Sequence, residues 1–218
     1  MHPAQKLEYG GKLFAQSEQL KRAVDRMRDC SADWYSVLLI ELATECLSNS
    51  MEMLRGMEEL SVSRCAWAAR NILELSYFTR YVAKSPENAR RFHEDAMCDL
   101  KDMLRKLEAL MPLDQVVAQG RAQMDRYMEI MEQITSQDMY LKVSKLAEDL
   151  GEKVVYETAN KYLSKFVHPT SLSIQAKKDT KLIGLAIQGI VLMALFFIQM
   201  AFPALIKCLD SIASPPAA

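Results

Sequence analysis

Between residues 12 and 28, Leu13, Phe14, Leu20, Val24 and Met27 recur at roughly helical spacing among Glu18, Lys21, Arg22 and Asp25, which predicts an amphipathic helix. Ser31 is placed to cap a second helix from Ala32 to about Leu60, through Trp34, Val37, Leu38, Ile40, Leu42 and Met51. Ser61 or Ser63 caps a third, which ends near Lys84 at the Ser85-Pro86 break. Pro86 suits the first turn of a fourth, strongly charged helix through His93, Lys101 and Arg105; it ends before Met111-Pro112, and a fifth helix runs to about Ile134. Ser136 or Asp138 opens a short amphipathic segment that ends at Leu150-Gly151, where glycine after an apolar position is a C-terminal signal. A helix from about Glu152 to Val167 closes at His168-Pro169, Pro169 to Lys181 reads as a loop, and a last helix runs from Leu182 to about Asp210.

Nothing alternates for long with a period of two, and no repeat or linker divides the chain. The expected fold is therefore all-α: one multi-helix bundle of about seven or eight helices over residues 1–213, with 214–218 a disordered tail. The segment from Leu182 to Ile206 carries no charge and would span a bilayer by length. A helix apolar all round is also what the centre of a bundle requires, and the one-sided stripes of the other helices need a core partner. A buried central helix is accordingly the expectation, and a membrane span the less favoured alternative.

Charge narrows the partners. Lys plus Arg number 27 against 28 Asp plus Glu, so no global field draws the protein to DNA or to an anionic membrane. The five cysteines are odd in number and form no Cys-x-x-Cys pair, which argues for reduced, mostly packed thiols. The N-terminus lacks a secretory pattern, and the expectation is a cytoplasmic protein. No spacing suggests a metal, a cofactor or a phosphate loop. The 14 methionines, several on the second and fifth helices, suggest adaptable apolar faces beyond what one core needs, and with them a homodimer.

Two clusters could carry chemistry. On the third helix Arg70 and Glu74 stand four residues apart, with Tyr77 and Tyr81 continuing the stripe inside a mostly apolar sequence. That is either a polar pocket in the core or a local ion pair completed by tyrosine hydroxyls. The second cluster is Asn160 to Pro169, where Lys161, Ser164, Lys165 and His168 share one side of a helix and Val155, Ala159, Tyr162, Leu163 and Phe166 the other. A histidine at a helix C-terminus beside a hydroxyl and two lysines suits acid–base work or phosphate contact; the simpler reading is a solvated or capping side chain. His93, in a mixed-charge run, is assigned no role.

The segments Ala69-Arg70-Asn71-Ile72-Leu73-Glu74 and Tyr162-Leu163-Ser164-Lys165-Phe166-Val167-His168-Pro169, followed by the long apolar final helix, resemble an uncharacterised bacterial all-α family related to the HEPN superfamily. The resemblance covers roughly Ser61 to Ile206. It implies a helical bundle, commonly dimeric, and an RNA-cutting toxin or phage-defence role that needs no metal. The superfamily's Arg-x(4–6)-His motif is not present, its nearest form being Lys161-x(6)-His168. Carried onto this chain, the resemblance implies His168, Arg70 and Glu74 as catalytic candidates and Tyr77, Lys161 and Ser164 as binding candidates around one pocket. The alternatives are a non-enzymatic helical scaffold and a membrane-anchored accessory protein.

Overall fold

The computed structural model describes residues 3–28, 33–110, 122, 141–168, 170–176 and 178–213. Among these are eight helices and no strands: α1 (Pro3–Arg28), α2 (Trp34–Glu58), α3 (Val62–Val82), α4 (Pro86–Leu110), α5 (Val143–Asp149), α6 (Lys153–Val167), α7 (Ser171–Ala176) and α8 (Thr180–Ala213). The all-α expectation holds. The Ser31 cap, the fifth helix expected up to Ile134 and the tail 214–218 lie outside the described residues. The described chain gathers in two compact units, Met1–Pro86 with Val143–Ala218, and Glu87–Lys142.

The larger unit is built around α3 and α8. They form the most extensive helix pair; α8 also packs on α1, α2 and α7, while α3 packs on α2, α5 and α6. Ile187, Ile190, Val191, Phe197 and Ile198 of α8 and Leu73 and Tyr77 of α3 are all buried in the core that these helices form with α1 and α2. Each such side chain stabilises the fold by roughly 1.5–3 kcal/mol relative to exposure. The uncharged segment is thus a core helix, but on one side only. Leu182, Leu185, Leu192 and Phe196, spaced three, seven and four residues apart, form a stripe on the other side that is 45–64% exposed. α8 is long and apolar enough to cross a membrane, and half of its most apolar stretch is buried.

Local signals explain most helix ends. Asp33 caps α2, its carboxylate accepting from the N–H groups of Tyr35 and Ser36. Ser61 caps α3 through Arg64 N–H. α5 ends in a Schellman arrangement: Gly151, at φ +72°, donates to the Glu148 carbonyl and Glu152 N–H to that of Ala147. α2 ends with the matching long bond, Ser61 N–H to the Gly56 carbonyl, around Leu60 at φ +53°. The stretch read as a loop after Pro169 contains the short helix α7, because the Thr170 hydroxyl accepts from Ser173 N–H and supplies a start signal.

In the smaller unit α4 carries an acidic first turn, Glu87, paired with Arg90 and Arg91. Asp95 is buried there and accepts a 2.6 Å hydrogen bond from Leu141 N–H.

Candidate functional site

Arg70, Glu74, Tyr77 and Arg80 stand at i, i+4, i+7 and i+10 on α3 and form one stripe facing α6. The stripe is graded in depth. Tyr77 is wholly buried, its ring edge-on to Tyr156 of α6 at 5.6 Å and tilted against Phe197 of α8 at 6.2 Å. The Arg80 guanidinium lies 5.0 Å over the Tyr77 ring and grips Glu152 with two hydrogen bonds of 3.0 and 2.8 Å. Glu152 has no side-chain bond to the α6 N–H groups it precedes, since its carboxylate is committed to Arg80. The Schellman turn at Gly151 is what delivers it there.

Arg70 and Glu74 meet at 3.4 Å, but their side chains are 31% and 36% exposed. The expectation of a pair buried within α3 is corrected here. Trp67, half exposed on the same helix, shows the reason: α3 is apolar nearly all round in sequence, yet its neighbours leave one edge open. Arg70 and Glu74 lie along that edge, where an ion pair contributes little. Both stand close enough to Tyr156 to act on it. Burial is the main cause that raises the Tyr156 pKa, the Glu74 carboxylate adds to it, and the Arg70 cation opposes it. The Tyr77 pKa is raised as well, by burial first and then by Glu152. The Tyr77 hydroxyl lies beside the Glu152 carboxylate but makes no hydrogen bond of good geometry, and Arg80 Nε is buried without a partner.

On α6, Ala159, Leu163 and Phe166 are buried, as the projection predicts, while Val155 is 42% exposed. Tyr162 stacks edge-on against Phe166. It also rests on Gly189 of α8, where a Cβ would stand only 2.9 Å from its hydroxyl. Lys161 and Lys165 are exposed. Ser164 donates its hydroxyl proton to the Asn160 carbonyl at 2.7 Å. His168 is the C-terminal cap, in extended backbone; its carbonyl accepts from Thr170 N–H and the Ser173 hydroxyl, and its side chain is exposed.

The register of α3 and α6 relates the two clusters. Arg80 pairs with Glu152 and Tyr77 with Tyr156, so contacts step backward along α3 as they step forward along α6, and the helices are antiparallel. At about 1.5 Å of rise per residue, Arg70 stands roughly 10 Å beyond Tyr77 along this axis, level with about Leu163. His168 follows about 7–8 Å further. Arg70 therefore lies toward the end of the helix pair to which α6 runs, and Tyr77 is buried in the core. Among the described residues His168 makes no side-chain hydrogen bond or ion pair.

Two members were not foreseen, Arg80 and Glu152. Their spacing of 72 residues leaves no periodic trace, and the one available hint was an acidic residue directly after a helix-ending glycine. The thiols offer no nucleophile in the core, since burial pushes both Cys46 and Cys65 up to about 12. Among the described residues no group of three His, Cys, Asp or Glu side chains gathers as a metal would need.

Compared with known proteins, the chain finds no significant match among curated proteins or solved structures. Residues 36–181, from the first turn of α2 to the start of α8, match the family of unknown function DUF5677, and the chain belongs to that family.

Proposed function

We propose that the protein is a HEPN-like, RNA-directed effector, working in the cytoplasm as a homodimer, and that the open edge between α3 and α6 is its substrate surface. The observation that supports this reading is the antiparallel register, which runs from the Tyr77–Tyr156 contact toward Arg70 along α3 and toward Lys161, Ser164 and His168 along α6. In this scheme His168 accepts the proton of the attacking ribose 2′-hydroxyl or returns one to the leaving 5′-oxygen. Arg70 or Lys161 balances the charge that grows on the phosphate, and Glu74 holds Arg70 in place. Tyr77 forms the wall beneath. The test is incubation of the wild type and His168→Ala with a panel of tRNAs and mRNAs. Cleavage should fall by about a hundredfold or more in the variant at unchanged helical content. Equal inertness of both proteins overturns the reading.

The exposed α8 stripe supports a second reading, a non-enzymatic scaffold that self-associates through this helix. Leu185→Glu with Leu192→Glu should convert a dimer into a monomer in sedimentation velocity. A monomeric wild type removes this reading, and binding of the wild type to lipid vesicles would assign the stripe to a membrane instead.

A further inference from the structure

The region where α6 ends, α7 follows and α8 begins differs in charge from the rest of the chain. From residue 158 to residue 206 the sequence holds five lysines and one acid, Asp179, whereas over the whole chain acids slightly outnumber bases. The Asp179 carboxylate is engaged at the start of α8, where it accepts from the N–H groups of Lys181 and Leu182. Lys161 and Lys165 in the last turns of α6, with Lys178 and Lys181 at the start of α8, are all exposed, and none makes an ion pair among the described residues. The same region carries apolar side chains that no neighbour covers: Leu172 and Ile174 of α7 and Leu182 and Leu185 of α8 are 47–64% exposed. α7 packs on both α6 and α8, so lysines and apolar side chains belong to one surface. It is also held firmly, since Ser173 is buried and its hydroxyl reaches the carbonyls of His168 and Thr170 at 3.0 and 2.9 Å. Single exposed apolar residues are ordinary, but a cluster of them among unneutralised lysines has the chemistry of a surface that rests on a bilayer.

We infer that this region docks on an anionic phospholipid membrane, with Leu172, Ile174, Leu182 and Leu185 entering the headgroup layer and the lysines meeting lipid phosphates. α8 stays a core helix and does not span the bilayer. The charge balance of the whole chain supplies no such attraction, so the field is local to this patch. The inference does not rest on the RNA reading. An RNA on the same lysines would have no use for the exposed leucine and isoleucine of α7, and that difference separates the two partners.

Cosedimentation of the full chain with lipid vesicles tests the inference. Vesicles of phosphatidylcholine with roughly one third phosphatidylglycerol should bind the protein about tenfold or more tightly than phosphatidylcholine alone, and added salt should weaken that binding. Leu172→Ser with Ile174→Ser, and separately Lys178→Gln with Lys181→Gln, should each weaken it about tenfold. All four side chains are exposed, so both variants are expected to fold, and helical content is checked alongside. Leu7→Ser, at an exposed leucine of α1, and Leu192→Glu, further along α8, should bind as the wild type does. No binding to the anionic vesicles, equal binding to both kinds, or full retention by either double variant would overturn the inference. So would loss in Leu7→Ser, which would mark unspecific adhesion, or in Leu192→Glu, which would move the contact from α7 to the whole α8 stripe.

Discussion

Arg80 and Glu152 hold one another through two parallel hydrogen bonds, 3.0 and 2.8 Å long, and so fasten the end of α3 to the start of α6. Their side chains are only 14% and 24% exposed, so removing one partner strands the other in a poorly solvated place. Glu152→Gln and Arg80→Met are each expected to destabilise the larger unit by about 1.5–3 kcal/mol in urea unfolding. The double variant Arg80→Met with Glu152→Leu should recover part of that loss, because no unpaired charge remains. Additive losses would show that the pair is not coupled.

Leu60 and Gly151 occupy equivalent places, each the left-handed residue after a helix end, at φ +53° and +72°. Glycine adopts this backbone freely, and other L residues at a cost of roughly 1–2 kcal/mol. Leu60 is 52% exposed and gives little packing in return. Leu60→Gly should raise stability by up to about 1 kcal/mol, and Gly151→Ala should lower it by about the same. A destabilised Leu60→Gly would mean that the leucine side chain holds the α2–α3 corner.

The cap of α2 titrates. The Asp33 pKa is lowered chiefly by the hydrogen bond from Ser36 N–H; burial opposes this, and the Ser36 hydroxyl and Tyr35 N–H add smaller lowering contributions. A lowered folded-state pKa means that the stabilisation is present above the unfolded value of about 3.9 and is lost as pH falls through the folded value. Asp33→Ala should cost about 1 kcal/mol at neutral pH and progressively less below about pH 4. Asp33→Asn should keep the cap and lose the pH dependence. Unfolding midpoints at pH 7 and pH 3 check both.

Tyr77 offers a test inside the core. Its buried hydroxyl lies beside the Glu152 carboxylate without a well-formed hydrogen bond, so Tyr77→Phe should change stability by no more than about 1 kcal/mol and preserve the ring contacts with Tyr156 and Phe197. RNA cleavage, if present in the wild type, should be unchanged, since the ring is a wall rather than a contact. Loss of cleavage in Tyr77→Phe would place the hydroxyl in the site itself.

The sequence alone determined the helical fold, because the periods of Leu13, Leu20, Val24 and Met27 and the apolar face of α6 are local properties that each helix expresses by itself. Local signals also marked Ser61 as a cap and Gly151 as a stop, and gave the run of α8. Only the tertiary structure decided how deep each side chain lies. Arg70 and Glu74 sit in an apolar sequence yet at an open edge, and α8 is uncharged from Leu182 to Ile206 yet buried on one face only. Burial is set by which neighbour covers a face, and that depends on helix pairs distant in sequence. The same holds for Arg80 with Glu152: the pair needs two segments whose meeting no local pattern records, since a salt bridge leaves no periodicity in either stretch of sequence that forms it.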